Sequence, residues 1–227
     1  MDLASHIALD EGRRDDALAI ARSRRVDAQD LLGESLFLEA LAAARDAEEV
    51  ERIRWWLLRW SPRHDEGVVY SCGTRVSAYA VYAAVPALVL TRDFAPADMQ
   101  YRMLREHLWD PDAGLYRDSC DLENSAAEDE PATASGNGAV AAGIARALRI
   151  GGDGVPPQVR GRWQENTRDL LDAAAQLADA GLAYAAFVGV ADGWLEARCA
   201  QLARDWLAAD PDGPFAPLAR AAARAHP

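Results

Sequence analysis

Arg75 to Leu90 reads RVSAYAVYAAVPALVL. Beyond Arg75 it carries no charge, and its apolar residues fall on every side of a helical wheel. Such a helix must be buried on most of its surface. Pro86 is expected to kink or divide it, because proline removes one i→i−4 bond. Ala183 to Val190 is a second stretch of this kind. The segments around these two are one-sided. Leu31, Leu32, Ser35, Leu38, Leu41 and Ala42 form one stripe, and Val50, Ile53, Trp56, Leu57 and Trp60 form another, with Trp56 and Trp60 expected in the core. Ala97–Leu108, Gln158–Ala180 and Asp192–Ala208 are amphipathic as well.

Amphipathic outer helices alternating with almost wholly apolar inner ones predict an all-α fold. Antiparallel helical hairpins would form a small or incomplete (α/α) toroid, with eight or nine helices and no strand pairs. Residues 1–227 read as a single all-α domain, long enough for about four hairpins. Local signals set the boundaries. Asp46 with Glu49 three positions on reads as a capping box, Ser61-Pro62 as a stop, and Gly181 as the C-cap of the helix from Gln158. Leu115 to Pro131 is the longest irregular stretch, acidic and polar, and helix resumes around Thr133 to Arg149.

Composition excludes whole classes of function. The chain has 24 basic residues, every one Arg, against 36 acidic ones, for a net charge of −12. That balance argues against coating nucleic acid or an anionic membrane. The absence of Lys removes Schiff-base chemistry and a Walker-type phosphate lysine. No apolar run approaches the roughly 20 residues of a membrane span. The N-terminal residues lack a basic region leading into an apolar stretch, and Cys72, Cys120 and Cys199 lie far apart, so a reducing cytoplasm is expected. The four histidines are isolated and no metal-ligand spacing occurs, so neither metal nor cofactor is expected.

Between Pro86 and Leu148 the order of phrases is informative. Pro86-Ala87-Leu88 is followed by His107-Leu108-Trp109-Asp110-Pro111-Asp112-Ala113-Gly114-Leu115-Tyr116, then by Ala134-Ser135-Gly136-Asn137-Gly138-Ala139. This resembles the unsaturated glucuronyl and rhamnogalacturonyl hydrolases, glycosidases built on an (α/α)6 barrel. The resemblance implies a barrel in truncated form. It also exposes departures. The family's acid/base aspartate lies on the inner helix before the Pro-Phe-Leu step, where this chain has Tyr79, Ala80 and Tyr82 and no carboxylate from Val76 to Leu90. The family's Arg and both Trp of its Trp-Ala-Arg-Gly-Asn-Gly-Trp phrase are absent, leaving Ser135 and Ala139.

Candidate catalytic residues are therefore Asp65 and Asp118, as acid/base carboxylates in loops, with Tyr79 and Tyr82, as aromatics lining the toroid. Trp109, Tyr116, Asn137 and His107 are the candidate ligand-binding residues, in a pocket where loops 65–74, 116–131 and 135–138 converge. The expected function is small-molecule binding, of a small organic or saccharide-like ligand, by a repurposed enzyme of cyclase or isomerase type on a glycoside-hydrolase-like scaffold. A glycoside hydrolase acting on unsaturated uronyl saccharides and a non-catalytic helical scaffold, with homodimers possible, are the alternatives.

Overall fold

A computed structural model describes residues 3–23, 35–43, 45–61, 63–64, 67, 73–124 and 130–225. The described residues contain eleven α-helices: α1 (Ala4–Asp10), α2 (Arg14–Ser23), α3 (Leu38–Ala43), α4 (Ala47–Trp55), α5 (Tyr79–Leu90), α6 (Phe94–Leu108), α7 (Ala134–Gly151), α8 (Pro157–Ala173), α9 (Ala180–Ala191), α10 (Cys199–Ala209) and α11 (Ala216–Ala225). Two short antiparallel ribbons join them. β1 (Arg75–Ser77) pairs with β4 (Ser119–Asp121), and β2 (Trp109–Asp110) pairs with β3 (Leu115–Tyr116).

The odd-numbered helices form a closed inner ring. α5 packs on α7, α7 on α9, α9 on α11, α11 on α1, α1 on α3 and α3 on α5. Each even-numbered helix lies outside, against the inner helix that precedes it. The ring thus has six inner members, where length alone suggested about four hairpins. The economy comes from α1 and α3, with 7 and 6 residues, and from five outer helices among the described residues. Burial follows position: every residue from Ala80 to Val89 of α5 and from Ala180 to Gly189 of α9 is buried.

Small side chains let the inner helices touch. A Cβ at Gly143 of α7 would stand 2.7 Å from the Tyr82 Cα of α5, so only glycine fits that crossing. Side chains from α1, α3, α5, α7 and α9, with Phe215 just before α11, meet inside the ring. His6 Nδ1 lies 2.8 Å from Tyr82 Oη, and the Tyr82 ring meets Phe215, at the entry to α11, edge-on at 5.0 Å. Arg146 donates to Glu39 at 2.8 Å, Asp10 at 3.4 Å and the Tyr184 hydroxyl at 3.3 Å. Burial, together with the Arg146 charge, holds His6 well below the usual histidine range, so its imidazole is neutral.

Several sequence expectations change. Two strand pairs exist where none was expected. α5 runs unbroken through Pro86. The missing bond costs about 3 kcal/mol, whereas each fully buried Val or Leu of this helix returns about 1.5–3 kcal/mol. Asp46 makes no side-chain cap; its Oδ2 accepts from Arg22 at 3.3 Å instead. Gly181 lies in the first turn of α9, because Asp179 accepts from the Gly181 and Leu182 N–H groups and starts a new helix there. Trp60 is exposed, Trp56 half-buried. No described helix is long and apolar enough to cross a membrane.

Candidate functional site

The N-terminal ends of α5 and α7 open side by side. β4 leads out of Asp118 and β1 leads into α5, in the register Arg75↔Asp121, Val76↔Cys120 and Ser77↔Ser119. This pairing, sealed by Ala78 N–H donating to the Asp118 carbonyl at 2.9 Å, carries Asp118 to the start of α7. Thr133 caps α7 by accepting from Gly136 N–H at 3.1 Å. Its own N–H donates to Asp118 Oδ1 at 3.0 Å and its hydroxyl to Asp118 Oδ2 at 2.6 Å. Ser135 Oγ lies 3.2 Å from Thr133 Oγ1, and the Tyr79 hydroxyl donates to Ser135 Oγ at 2.9 Å.

These four side chains form a chain with one direction. The single Thr133 hydroxyl proton is committed to a carboxylate, so Ser135 must donate to Thr133 and Tyr79 to Ser135. Tyr79, half-buried at the mouth where α5 and α7 begin, thus has its phenol proton committed to Ser135. Beside the chain, Arg75 donates to Ser119 Oγ at 2.7 Å. The Thr74 hydroxyl donates to Asp121 Oδ1 at 2.7 Å, and that bond foremost holds the Asp121 carboxyl below its ordinary range.

Beneath the mouth lies a packed layer. Asn137 is fully buried and its amide is spent on backbone: Oδ1 accepts from Tyr116 N–H at 2.8 Å, while Nδ2 donates to the Tyr116 and Thr133 carbonyls at 2.9 and 2.8 Å. Tyr116 is buried too, its hydroxyl 3.0 Å from that of Tyr101 and accepting from Arg105 at 2.7 Å. Burial pushes the Tyr116 phenol well above its ordinary range. The Arg105 guanidinium lies 3.7 Å from the centre of the Trp109 ring.

The sequence candidates therefore separate. The structure brings Tyr79 and Asp118 together at the mouth. Tyr82 sits inside the ring against His6 and Phe215, not on a cavity wall. Asn137 and Tyr116 hold the loop that carries Asp118, and their polar groups are occupied. Trp109 is half-buried beneath Arg105, and His107 meets His64 edge-on at 6.1 Å. Asp65 lies outside the described residues. Thr133 and Ser135 complete the chain, and the signal for Thr133 was available: a threonine directly before a long apolar helix is an N-cap signature. Asp179, at the start of α9, is a buried carboxyl whose pKa burial pushes up to about 6.

No protein-family model matches the chain, and no curated protein matches its sequence. Solved structures do. The fold is similar to that of a possible member of the GH105 family from Salmonella enterica serovar Paratyphi A, with TM-score 0.77 and 13% identity over 97% of this chain and 80% of that one. A possible GH105 member from Klebsiella pneumoniae gives TM-score 0.75 and 14% identity, covering 97% and 78%. The GH76A α-1,6-mannanase of Salegentibacter sp. HEL1_6 gives TM-score 0.70 and 10% identity, covering 97% and 87%. At these identities the likeness is one of fold. The chain has the (α/α)-barrel architecture of glycosidases, the architecture implied by the phrases between Pro86 and Leu148.

Proposed function

We propose that this chain binds a saccharide-like ligand at the mouth between α5 and α7 and moves a proton on it through Tyr79. That is an isomerase-type reaction on a glycosidase-like scaffold. The observation that carries the reading is the one-way chain Tyr79–Ser135–Thr133–Asp118. A ligand hydroxyl resting on Tyr79 Oη gives up its proton to that oxygen. The phenol proton passes to Ser135, the Ser135 proton to Thr133, and the Thr133 proton to the Asp118 carboxylate. Where that hydroxyl belongs to an enol, reversal delivers the proton to the adjacent carbon: the C=C electrons form the new C–H bond while the oxygen becomes a carbonyl, so nothing is added or lost. Glycoside hydrolysis, by contrast, uses two carboxyl groups flanking one bond, about 5–9.5 Å apart. In this chain Asp118 is joined to Tyr79 through two hydroxyls, of which Thr133 is itself exposed.

The saccharide class is supported by the scaffold. A variant of the Salegentibacter mannanase, similar in fold at TM-score 0.66, is solved in complex with α-1,6-mannotriose. Saturation-transfer NMR with a panel of neutral, uronyl and unsaturated uronyl oligosaccharides tests binding. Solvent-deuterium incorporation at a carbon of the sugar tests proton transfer. Tyr79→Phe and Asp118→Asn should each lower incorporation by about 10²-fold or more while leaving binding within a few-fold. Release of a free sugar from an unsaturated glucuronide would replace isomerisation by hydrolysis, and the absence of any bound saccharide would overturn the reading.

A further inference from the structure

α4 does not end as an α-helix. Trp56–Trp60 form a π-helical turn in which Ser61 N–H donates to the Trp56 carbonyl at 2.8 Å. On an α-helix residues five apart point about 140° away from each other. A turn closed from i to i+5 holds more residues and swings residue 60 back towards the side of residue 55. Ile53 and Leu57 are buried inward. Trp55 and Trp60 face out, 48% and 76% exposed, and are the exposed large hydrophobic residues among those described. Arg59, also exposed, holds its guanidinium 5.6 Å from the centre of the Trp55 ring.

Large exposed aromatics are the informative departure from ordinary burial, and π-turns recur at functional sites. Area and charge narrow the occupant. The two indoles together expose roughly 300 Å². A stable self-association buries about 800 Å² on each partner. The net charge of −12 repels polyanions, nucleic acids and anionic lipid alike. What remains suited to two flat indoles beside a guanidinium is an uncharged ring with an apolar C–H face and hydroxyls on its edge.

We infer that Trp55, Arg59 and Trp60 form a platform for an uncharged glycan chain, whose pyranose rings stack on the indoles while Arg59 donates to their hydroxyls. The inference rests on the saccharide reading above and extends it to a second surface, away from the Asp118 chain.

Native affinity electrophoresis of the full chain tests it, in gels cast with yeast mannan, xyloglucan or polygalacturonate. At least one of the two neutral glycans should retard the protein. Trp55→Ala and Trp60→Ala should each weaken retardation about tenfold and Arg59→Gln a few-fold, with far-UV circular dichroism unchanged because all three residues are exposed. The inference fails if neither neutral glycan retards the protein, if only polygalacturonate does, or if the double variant Trp55→Ala/Trp60→Ala is retarded normally. It also fails if wild type sediments as a dimer that Trp60→Ala dissociates, or if phosphatidylcholine vesicles bind it through these residues. Loss of retardation with saccharide NMR signals intact at the mouth would overturn the platform alone. Retardation kept by both single tryptophan variants and by the double variant would assign all binding to the mouth.

Discussion

Asn137 grips the Tyr116 peptide from both sides, accepting from its N–H at 2.8 Å and donating to its carbonyl at 2.9 Å. A side chain on α7 thereby does what a neighbouring strand would do, and fixes the segment that runs two residues on to Asp118. Asn137→Ala leaves both Tyr116 backbone groups buried without a partner and should cost about 2–4 kcal/mol. Asn137→Asp keeps one acceptor, loses the donor and adds a buried charge, so it should cost at least as much. Urea denaturation of the three proteins measures both. Stability within 0.5 kcal/mol of wild type for Asn137→Ala would remove this side chain from the support of the mouth.

Gly143 sets the distance between α5 and α7. Since an added Cβ would meet Tyr82 backbone at 2.7–2.8 Å, Gly143→Ala must push the helices apart. Overpacking of this kind costs about 1–3 kcal/mol, against the gain of up to 1 kcal/mol that Ala brings to an unconstrained helix interior. Thermal unfolding should show a net loss. A raised Tm would mean that α5 and α7 do not cross so closely.

Asp179 predicts a pH dependence of stability. Burial, reinforced by the Asp210 charge and opposed by the Gly181 and Leu182 N–H groups, pushes its carboxyl up to about 6, whereas an unfolded aspartate titrates near 3.9. Between those values the folded chain keeps a proton that the unfolded chain has released. The contribution of this group is therefore largest below about pH 4 and declines as pH rises to about 6, by roughly 2–3 kcal/mol. Asp179→Asn keeps an oxygen for the cap and carries no charge. It should unfold at a Tm roughly 5–10 °C above wild type at pH 7.5, with the difference vanishing near pH 4. A difference independent of pH would show that the buried charge is not its source.

Arg146 is the buried cation of the ring interior, paired with Glu39 at 2.8 Å and with Asp10 at 3.4 Å. Glu39 and burial act on it in opposite senses, burial pulling its pKa down and Glu39 pulling it up, with the net shift upward. Glu39→Gln strips the guanidinium of its nearest charge and should destabilise the chain by about 3 kcal/mol. Arg146→Met, which removes the buried cation and refills its volume, should cost less than Glu39→Gln. The reverse order in chemical denaturation would contradict a desolvated pair at this position.

Much of the architecture was legible in the chain. Within RVSAYAVYAAVPALVL the part from Tyr79 to Leu90 was legible as an inner helix, because Ala80 to Val89 offer no face that tolerates water, whereas Arg75–Ser77 became strand β1; Ala183 to Val190 repeats the case. Thr133 to Arg149 was legible as helix from its small apolar residues. The misread points have different causes. Asp46 turns to Arg22 instead of its own helix, and Asp179 begins a helix where Gly181 suggested an end. Trp60 followed an α-helical stripe that the π-turn displaces.

Local pattern determined the all-α class and the alternation of inner and outer helices, because one-sided and all-round hydrophobicity are properties of a dozen adjacent residues. Tertiary structure decided the number of helices in the ring and the fate of each polar side chain. Tyr79 and Tyr82 stand three residues apart on α5. One ends a hydroxyl chain at the mouth through Ser135, 56 positions away, and the other is sealed in the ring by His6, 76 positions away. Such long-range partners are set by the closure of the ring, and no spacing within a single helix encodes them.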